Sequence, residues 1–272
     1  MMAFKIGFCS EQRGEAAERA SAAPASGSSS VPRRSVVQVH FPKRDMTLAY
    51  YNDRFDLHEG DLVFVDGKLA GLRGCVTEVS YNFKIRAADY QRVIAVADTD
   101  VHGEFFFADS HFITFEPDTL PAGKVSSWFM APAAEDEFLC GSDETAFRLN
   151  DLHGMKVSPE VAERGHKYYV ENKVRYLCVD GSRGYAIVEG TEPYEVEFTY
   201  RNGEISALTC SCFCSYSCKH EFAAMLQLGE LLRRIEEQYA DDYARTGYFA
   251  AIYRETLLSF TVDGRENGSL RL

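Results

Sequence analysis

Four of the eight cysteines in this chain lie within nine consecutive positions, and a histidine follows two residues after the last one. Structural zinc sites bind four nitrogen or sulfur ligands in a tetrahedron. A Cys-x-Cys pair here follows a β-like run, and a Cys-x-His pair stands where an amphipathic helix begins. The two ligand pairs therefore lie at the end of a predicted strand and at the start of a predicted helix, in the order in which these elements occur along the chain. The predicted ligands of a zinc ion (Zn2+) are Cys210, Cys212, Cys218 and His220.

A further thiol, Cys214, lies inside the spacer, so that five groups compete for four positions. The first assignment pairs the end of a strand with the start of a helix. In the alternative, Cys212 and Cys214 form the first pair and Cys210 is free. In either case four protein ligands fill the tetrahedron, whereas a catalytic zinc keeps one position open for water. We therefore expect a structural site and no enzyme.

The segments on both sides of the cysteines have clear local signals. Ser158-Pro159-Glu160-Val161 reads as a capping box with proline at the first helical position, and Gly165 is expected to end this helix. Asn202-Gly203 predicts a tight hairpin turn. Apolar residues from Phe222 to Tyr239 follow helical spacing. The predicted strands are 174–179, 183–189, 194–200 and 204–209.

Cys210-x-Cys212, a short spacer and Cys218-Lys219-His220 before an apolar helix together resemble the SWIM zinc finger. Upstream, Arg164-Gly165-x-x-Tyr168-Tyr169, Ala186-x-Val188-x-Gly190 and Tyr194-x-Val196 resemble the lead-in of that family. The resemblance covers about residues 158–230. It implies binding to DNA or to a DNA-bound protein. The candidate binding surface comprises Lys219, Arg201, Arg164 and Lys167.

The N-terminal half is a series of short β-like runs with close turns, which favours a small β-barrel. Gly60-Asp61-Leu62-Val63-Phe64-Val65, followed by Gly71 and Gly74-Cys75-Val76, resembles the pattern of SH3-like barrels, including KOW-type modules. Between the halves, Trp128-Phe129-Met130 is expected to anchor on a neighbouring domain, because an exposed apolar triplet would be costly.

Charge and composition limit the function. A net charge of −12 argues against a protein that mainly coats nucleic acid, and residues 110–145 carry half of it. A protein–protein adaptor without nucleic-acid contact is therefore the alternative function. Neither a phosphate-binding loop nor a Ser/His/Asp arrangement is apparent, so no catalytic residue is predicted.

The apolar start of the chain is too short for a signal peptide and no run is long enough to span a bilayer, so we expect a cytoplasmic protein with no membrane partner. In that compartment thiols stay reduced, which favours metal binding over disulfides. The predicted fold class is α+β. The predicted segments are a disordered lead-in (1–35), a small β-barrel-like domain (36–109), an acidic linker (110–145), a SWIM-type zinc finger of antiparallel hairpins plus a helix (146–240) and a helical C-terminal tail (241–272).

Overall fold

A computed structural model describes residues 4–10, 32–132, 145–212, 214, 216–261 and 268–271 of this chain. The fold is α+β, as predicted. It contains two antiparallel sheets. The strands are β1 (Phe4–Ser10), β2 (Ser35–Phe41), β3 (Met46–Asn52), β4 (Leu62–Val65), β5 (Arg73–Ser80), β6 (Val93–Ala97), β7 (Val101–Ala108), β8 (His111–Thr114), β9 (Phe147–Arg148), β10 (Val174–Asp180), β11 (Arg183–Glu189), β12 (Pro193–Arg201), β13 (Glu204–Cys210), β14 (Tyr248–Tyr253) and β15 (Gly268–Arg271). The helices are α1 (Ala122–Phe129), α2 (Pro159–Val170), α3 (Lys219–Gln238), α4 (Ala240–Thr246) and α5 (Arg254–Thr261).

The smaller sheet has five strands in the order β3-β2-β5-β4-β6. Its two edge strands approach each other at one point, where the Tyr51 N–H donates to the Gln91 carbonyl and an isolated bridge joins Tyr51 to Arg92. One bridge does not continue the ladder, so the sheet is open and the prediction of a β-barrel is wrong. Alternating strand residues such as Val37 and Val39 fill its core. Local strand and turn patterns predict such strands, but closure depends on the long-range pairing of edges.

The larger sheet has eight strands in the order β7-β8-β14-β10-β11-β12-β13-β9, and β1 and β15 continue it beyond β7. The four strands predicted between 174 and 209 are confirmed as the meander β10 to β13. Asn202 and Gly203 both have positive φ, as the predicted tight turn requires. Strand β1 pairs with β7. Residues 4–10 are thus a strand rather than disordered, and most of the remaining predicted lead-in lies outside the described residues.

Two predicted segments have another structure. The supposed acidic linker supplies β8, which lies inside the large sheet, and α1. The supposed helical tail supplies β14, which lies between β8 and β10. The spacing of Phe249 and Ile252 suggested a helix, but both side chains are fully buried in a strand that is covered on both faces. Such a strand has a continuous apolar run, which periodicity cannot distinguish from a buried helix.

Apolar side chains cover both faces of the large sheet. On one face, Leu177 and Val179 of β10 share a core with Met225 and Leu228 of α3. On the other, Tyr176 and Cys178 of the same strand pack with residues of α1 and α5. These two pairs of β10 residues lie on opposite faces of the sheet because successive side chains of a strand point to opposite sides. This arrangement holds α3 against the meander that leads to the cysteines.

Trp128 of α1 is fully buried and donates its Nε1–H to the Asp98 carbonyl at 2.7 Å. Its ring stacks on Phe260 of α5 with the centroids 5.2 Å apart. The predicted packing of this residue as an anchor is confirmed, and it joins the segment after β6 to the large sheet. Among the helices that can be described, none is long and apolar enough to span a bilayer.

Candidate metal centre

A β-bulge determines which way Cys210 faces. In the β12–β13 ladder, Thr199 pairs with Ser206 and Glu197 pairs with Thr209, so that two residues of β13 lie opposite one residue of β12. Ala207, one of those two, has a φ of 50°. Ile205 and Cys210 are an odd number of residues apart, yet both pack against the α3 core. The extra residue makes this possible, because without it successive side chains would alternate between faces.

The N-terminus of α3 positions two more of the four predicted ligands, Cys218 and His220. Cys218 is the N-cap residue, and Glu221 returns its side chain to accept the Cys218 N–H at 2.8 Å. The side chains of Cys218 and His220 are almost completely buried, each with 4% of its surface exposed. The predicted helix is confirmed, and its first turn points these two side chains towards the end of β13.

The four predicted ligands meet in one cluster. The sulfur atoms of Cys210, Cys212 and Cys218 and a ring nitrogen of His220 all lie within 4.8 Å of one another. Nδ1 of His220 is 3.7 Å from the sulfur of Cys210 and 3.7 Å from that of Cys218. Zinc–sulfur and zinc–nitrogen bonds of ordinary length give a tetrahedron whose S–N edge is roughly 3.6 Å. The observed distances therefore agree with a tetrahedral zinc site, and three thiolates with an imidazole are ligands that suit zinc.

The protonation of the thiols supports the same interpretation. A hydrogen bond from the Cys210 thiol, together with one from His220, lowers the pKa of Cys218 to about 4. That hydrogen bond, and then burial, raises the pKa of Cys210. Burial, and then the charge of Cys218, raises the pKa of Cys212 to about 12. The protein alone thus stabilises one thiolate, and three adjacent thiolates require a cation between them.

The imidazole of His220 lies in an aromatic slot. The Tyr194 ring stacks on it with centroids 4.2 Å apart at 21°, and the Tyr168 ring lies 5.5 Å away. A Cβ atom at Gly190 would come within 3.2 Å of His220 Nε2. Nε2 is buried and has no hydrogen-bond partner among the described residues. The polar contacts that the ring makes there are therefore those of Nδ1 with the sulfur atoms.

The remaining predicted site residues are not all together. Cys214 is exposed and is not part of the cluster. Lys219 lies over the Tyr168 ring at 4.7 Å, on the side of α3 that faces α2. The α2 side chains Arg164 and Lys167 are exposed.

Arg201 pairs with Glu204 beside the hairpin turn, at the opposite end of β13 from Cys210. Glu204 and Cys210 are the two ends of the seven-residue strand β13, so they lie about 20 Å apart. The structure therefore does not join Arg201 to the other three cations of the predicted surface.

Sequence reasoning did not assign a role to Tyr194, Gly190 or Glu221. Tyr194 and Gly190 precede Cys210 by 16 and 20 residues, and only the β11–β12 turn brings them to His220. Glu221 could have been recognised, because an acidic residue three positions after an N-cap is the capping-box spacing. The capping box was not recognised because its N-cap residue is a cysteine, which is not one of the usual N-cap residues.

The neighbouring helix α2 also differs from its prediction. Ser158 is the N-cap and accepts the Val161 N–H, but Val161 occupies the third helical position, so the acidic side chain that would complete the predicted capping box is missing. The helix continues to Val170 instead of ending at Gly165. Gly165 lies where α2 crosses α3. A Cβ atom there would come within 2.8 Å of the Phe222 Cβ. This glycine therefore permits close helix packing rather than ending the helix.

Comparisons with protein-family models, curated proteins and solved structures found no match to this chain. The likeness to the SWIM finger thus rests on the residues that suggested it. The structure adds a Cys3His cluster whose geometry is compatible with a bound metal ion.

Proposed function

We propose that this chain is a zinc-dependent interaction protein in which Cys210, Cys212, Cys218 and His220 hold one structural zinc ion. The observation that carries the proposal is the pair of 3.7 Å distances from His220 Nδ1 to two sulfur atoms, at the edge length of a zinc tetrahedron. Four protein ligands leave no open coordination position. The ion therefore acts on stability and not on a substrate.

Zinc supplies a cation that neutralises the thiolates and ties the end of β13 to the start of α3. The residues around it prepare the site. Glu221 orders the backbone at Cys218, and the Ala207 bulge turns Cys210 towards the helix. The Tyr194 ring stacks on the His220 imidazole and so fixes the orientation of its plane. Because these groups are in place only when the chain is folded, binding of the metal contributes directly to folding.

Measurement of the metal content of the purified full chain tests this centre. We expect one zinc per chain, and a Co2+-substituted protein with the visible absorption of a tetrahedral thiolate site. A Cys218→Ser, His220→Ala variant should lose both, while Cys214→Ser should keep both. Zinc bound in equal amounts by all three proteins would exclude the proposed ligand set.

For the partner we propose DNA or a DNA-bound protein. The support is the exposure of Arg164 and Lys167 on α2, which packs on the first turn of α3, together with Lys219 between two of the proposed ligands. Such a surface should bind phosphates with an affinity that falls steeply with salt. Fluorescence anisotropy with double- and single-stranded DNA, from low to physiological salt, measures this. Charge reversal of Arg164 and Lys167 should weaken the binding, and the same change at the remote Arg201 should not.

The second candidate is a protein adaptor without nucleic-acid contact. Lys167 lies 3.8 Å from Glu171, and the α2 surface also carries Glu160 and Glu163, so the cations are not in clear excess there. The net charge of −12 points in the same direction. An absence of DNA binding at low salt, with retention of a protein partner that the zinc-site variant loses, would select this function.

A further inference from the structure

The metal-binding loop carries one thiol more than a zinc tetrahedron uses. Cys214 lies two residues after the ligand Cys212 and is exposed. The three ligand thiols are less accessible, since Cys218 is buried and the other two are partly buried. Oxidants select thiols by their exposure and their thiolate character. Of the four thiols in this loop, Cys214 is therefore the one that a dissolved oxidant reaches first.

The extra thiol is in direct contact with a metal ligand. The backbone N–H of Cys214 donates to the sulfur of Cys212, and the two side chains share a second hydrogen bond. Two residues of chain span at most about 7 Å. A disulfide joins Cα atoms that are up to about 6.8 Å apart. The turn closed by the N–H···S bond holds these residues closer than an extended segment would, so a disulfide between them requires only a local change in the loop.

Oxidation of Cys214 acts on the metal through its neighbour. The four ligand atoms lie within 4.8 Å of one another, and Cys214 does not contribute one of them. Cys212, however, cannot bind zinc while it is part of a disulfide. Changes to groups that merely support a ligand already weaken metal binding about 10–100-fold, so the loss of a ligand itself releases the ion.

We infer that Cys212 and Cys214 form a redox-sensitive pair that releases zinc when a hydroperoxide oxidises Cys214. The inference rests on the proposed zinc centre, whose regulation it describes. In a reducing environment Cys214 is a free thiol, and zinc ties the end of β13 to the start of α3. After oxidation this tie is lost, and with it any interaction of the chain that depends on the zinc-bound fold.

The reaction has two steps. The sulfur of Cys214 attacks one oxygen of hydrogen peroxide, the O–O bond breaks, and water leaves to give a sulfenic acid. The sulfur of Cys212 then leaves zinc and attacks the sulfur of the sulfenic acid, the S–O bond breaks, and a second water leaves. The two sulfur atoms lose two electrons, which the peroxide gains. One solvent proton is consumed, because Cys212 is bound to zinc as a thiolate.

Oxidation of the zinc-loaded full chain tests this pair. Hydrogen peroxide is added in small molar excess, a chromophoric chelator reports the released zinc, and mass spectrometry locates the disulfide. Tryptic cleavage after Arg201 and Lys219 leaves all four loop cysteines in one peptide, in which differential alkylation and fragmentation identify the bonded pair. We expect the wild type to release one zinc per chain and to contain a Cys212–Cys214 disulfide. A dithiol reductant with added zinc should restore the metal content.

Two single substitutions separate this pair from general thiol oxidation. Cys214→Ser keeps all four ligands, and should hold its zinc over the time in which the wild type loses it. Cys75→Ser removes a partly buried thiol of the small sheet, and should release zinc as the wild type does. Before peroxide is added, all three proteins should contain one zinc per chain.

The outcomes distinguish the redox pair from the metal centre itself. If the reduced wild type holds no zinc, the proposed centre fails and the inference fails with it. If all three proteins hold one zinc but Cys214→Ser loses it as fast as the wild type, the centre stands and the redox pair is overturned. A disulfide between two ligands without Cys214, or retention of zinc by the oxidised wild type, would overturn the pair in the same way.

Discussion

Replacing Cys212 or Cys214 by serine separates a metal ligand from a bystander in the same loop. Cys212 belongs to the cluster, whereas Cys214 is exposed outside it. Cys212 is also only partly buried, so serine there leaves no large core cavity. Cys218 is less suitable, because it is 4% exposed and also caps α3. The pair of variants therefore tests coordination with little effect on packing.

The expected magnitude follows from the number of ligands. Disturbing only the residues that support a ligand weakens metal binding 10–100-fold, so we expect loss of one of four ligands to raise the zinc Kd at least about 100-fold. With free zinc buffered at 1,000 times the wild-type Kd, the metal adds about 4.1 kcal/mol to the free energy of unfolding. In Cys212→Ser the ratio of free zinc to Kd falls to about 10, and zinc then adds only about 1.4 kcal/mol to the free energy of unfolding. The difference of about 2.7 kcal/mol corresponds to a loss of roughly 5 °C in Tm.

The assay is thermal and denaturant unfolding in a zinc buffer, together with competition against a chromophoric chelator. Cys214→Ser should match the wild type in Kd and in Tm. Measurement of both proteins after removal of zinc gives the effect of each substitution on the metal-free fold. The reasoning is refuted if Cys214→Ser loses zinc affinity as strongly as Cys212→Ser, or if Cys212→Ser keeps the wild-type Kd.

Three further predictions concern residues away from the thiols. Gly190→Ala places a methyl group 2.8 Å from a Tyr194 ring carbon and 3.2 Å from His220 Nε2, so it should displace both rings and weaken zinc binding about tenfold in the chelator competition while leaving the stoichiometry at one. Burial lowers the pKa of His111 from 6.5 to about 4, so the neutral ring stabilises the fold above pH 6.5 and this contribution is lost as the pH falls towards 4. Urea unfolding of wild type and His111→Gln gives the difference between their free energies of unfolding at each pH. That difference should change by up to about 3 kcal/mol between pH 6.5 and pH 4, and a difference that stays constant would contradict the prediction. Ala207→Gly should raise the free energy of unfolding by roughly 0.5–1 kcal/mol, because glycine tolerates the φ of 50° at the bulge, and a loss of stability would show that this backbone is not strained.

Local signals predicted much of the candidate site. Cys210, Cys212, Cys218 and His220 were identified from their spacing and from the elements on either side, and the structure brings those four together. The helix after His220 and the hairpin at Asn202 were predicted for the same reason, since both depend on residues that are close in sequence. The support from Tyr194 and Gly190 could not be predicted, because the β11–β12 turn brings them to the histidine.

The errors in the fold have a common physical cause. Strands β8 and β14 lie side by side in the large sheet although about 140 residues separate them. Their residues carry no local mark of that pairing, because the stability of a central strand comes from neighbours that are distant in the chain. The open edge of the small sheet was missed in the same way. Turn patterns predict hairpins, but whether the first and last strands join depends on the twist of the whole sheet.

The sequence by itself determined the chemistry of the centre: three thiols, one imidazole and a short spacer between a strand and a capped helix. This is possible because metal ligands and helix caps act over a few residues. Tertiary structure decided the rest. The bulge at Ala207 turns Cys210 towards α3, and the glycine at 165 lets α2 approach that helix. The packing of the two sheets brings Arg73 of the small sheet over the Phe260 ring of α5, because side chains from separate layers become neighbours only when both layers have packed.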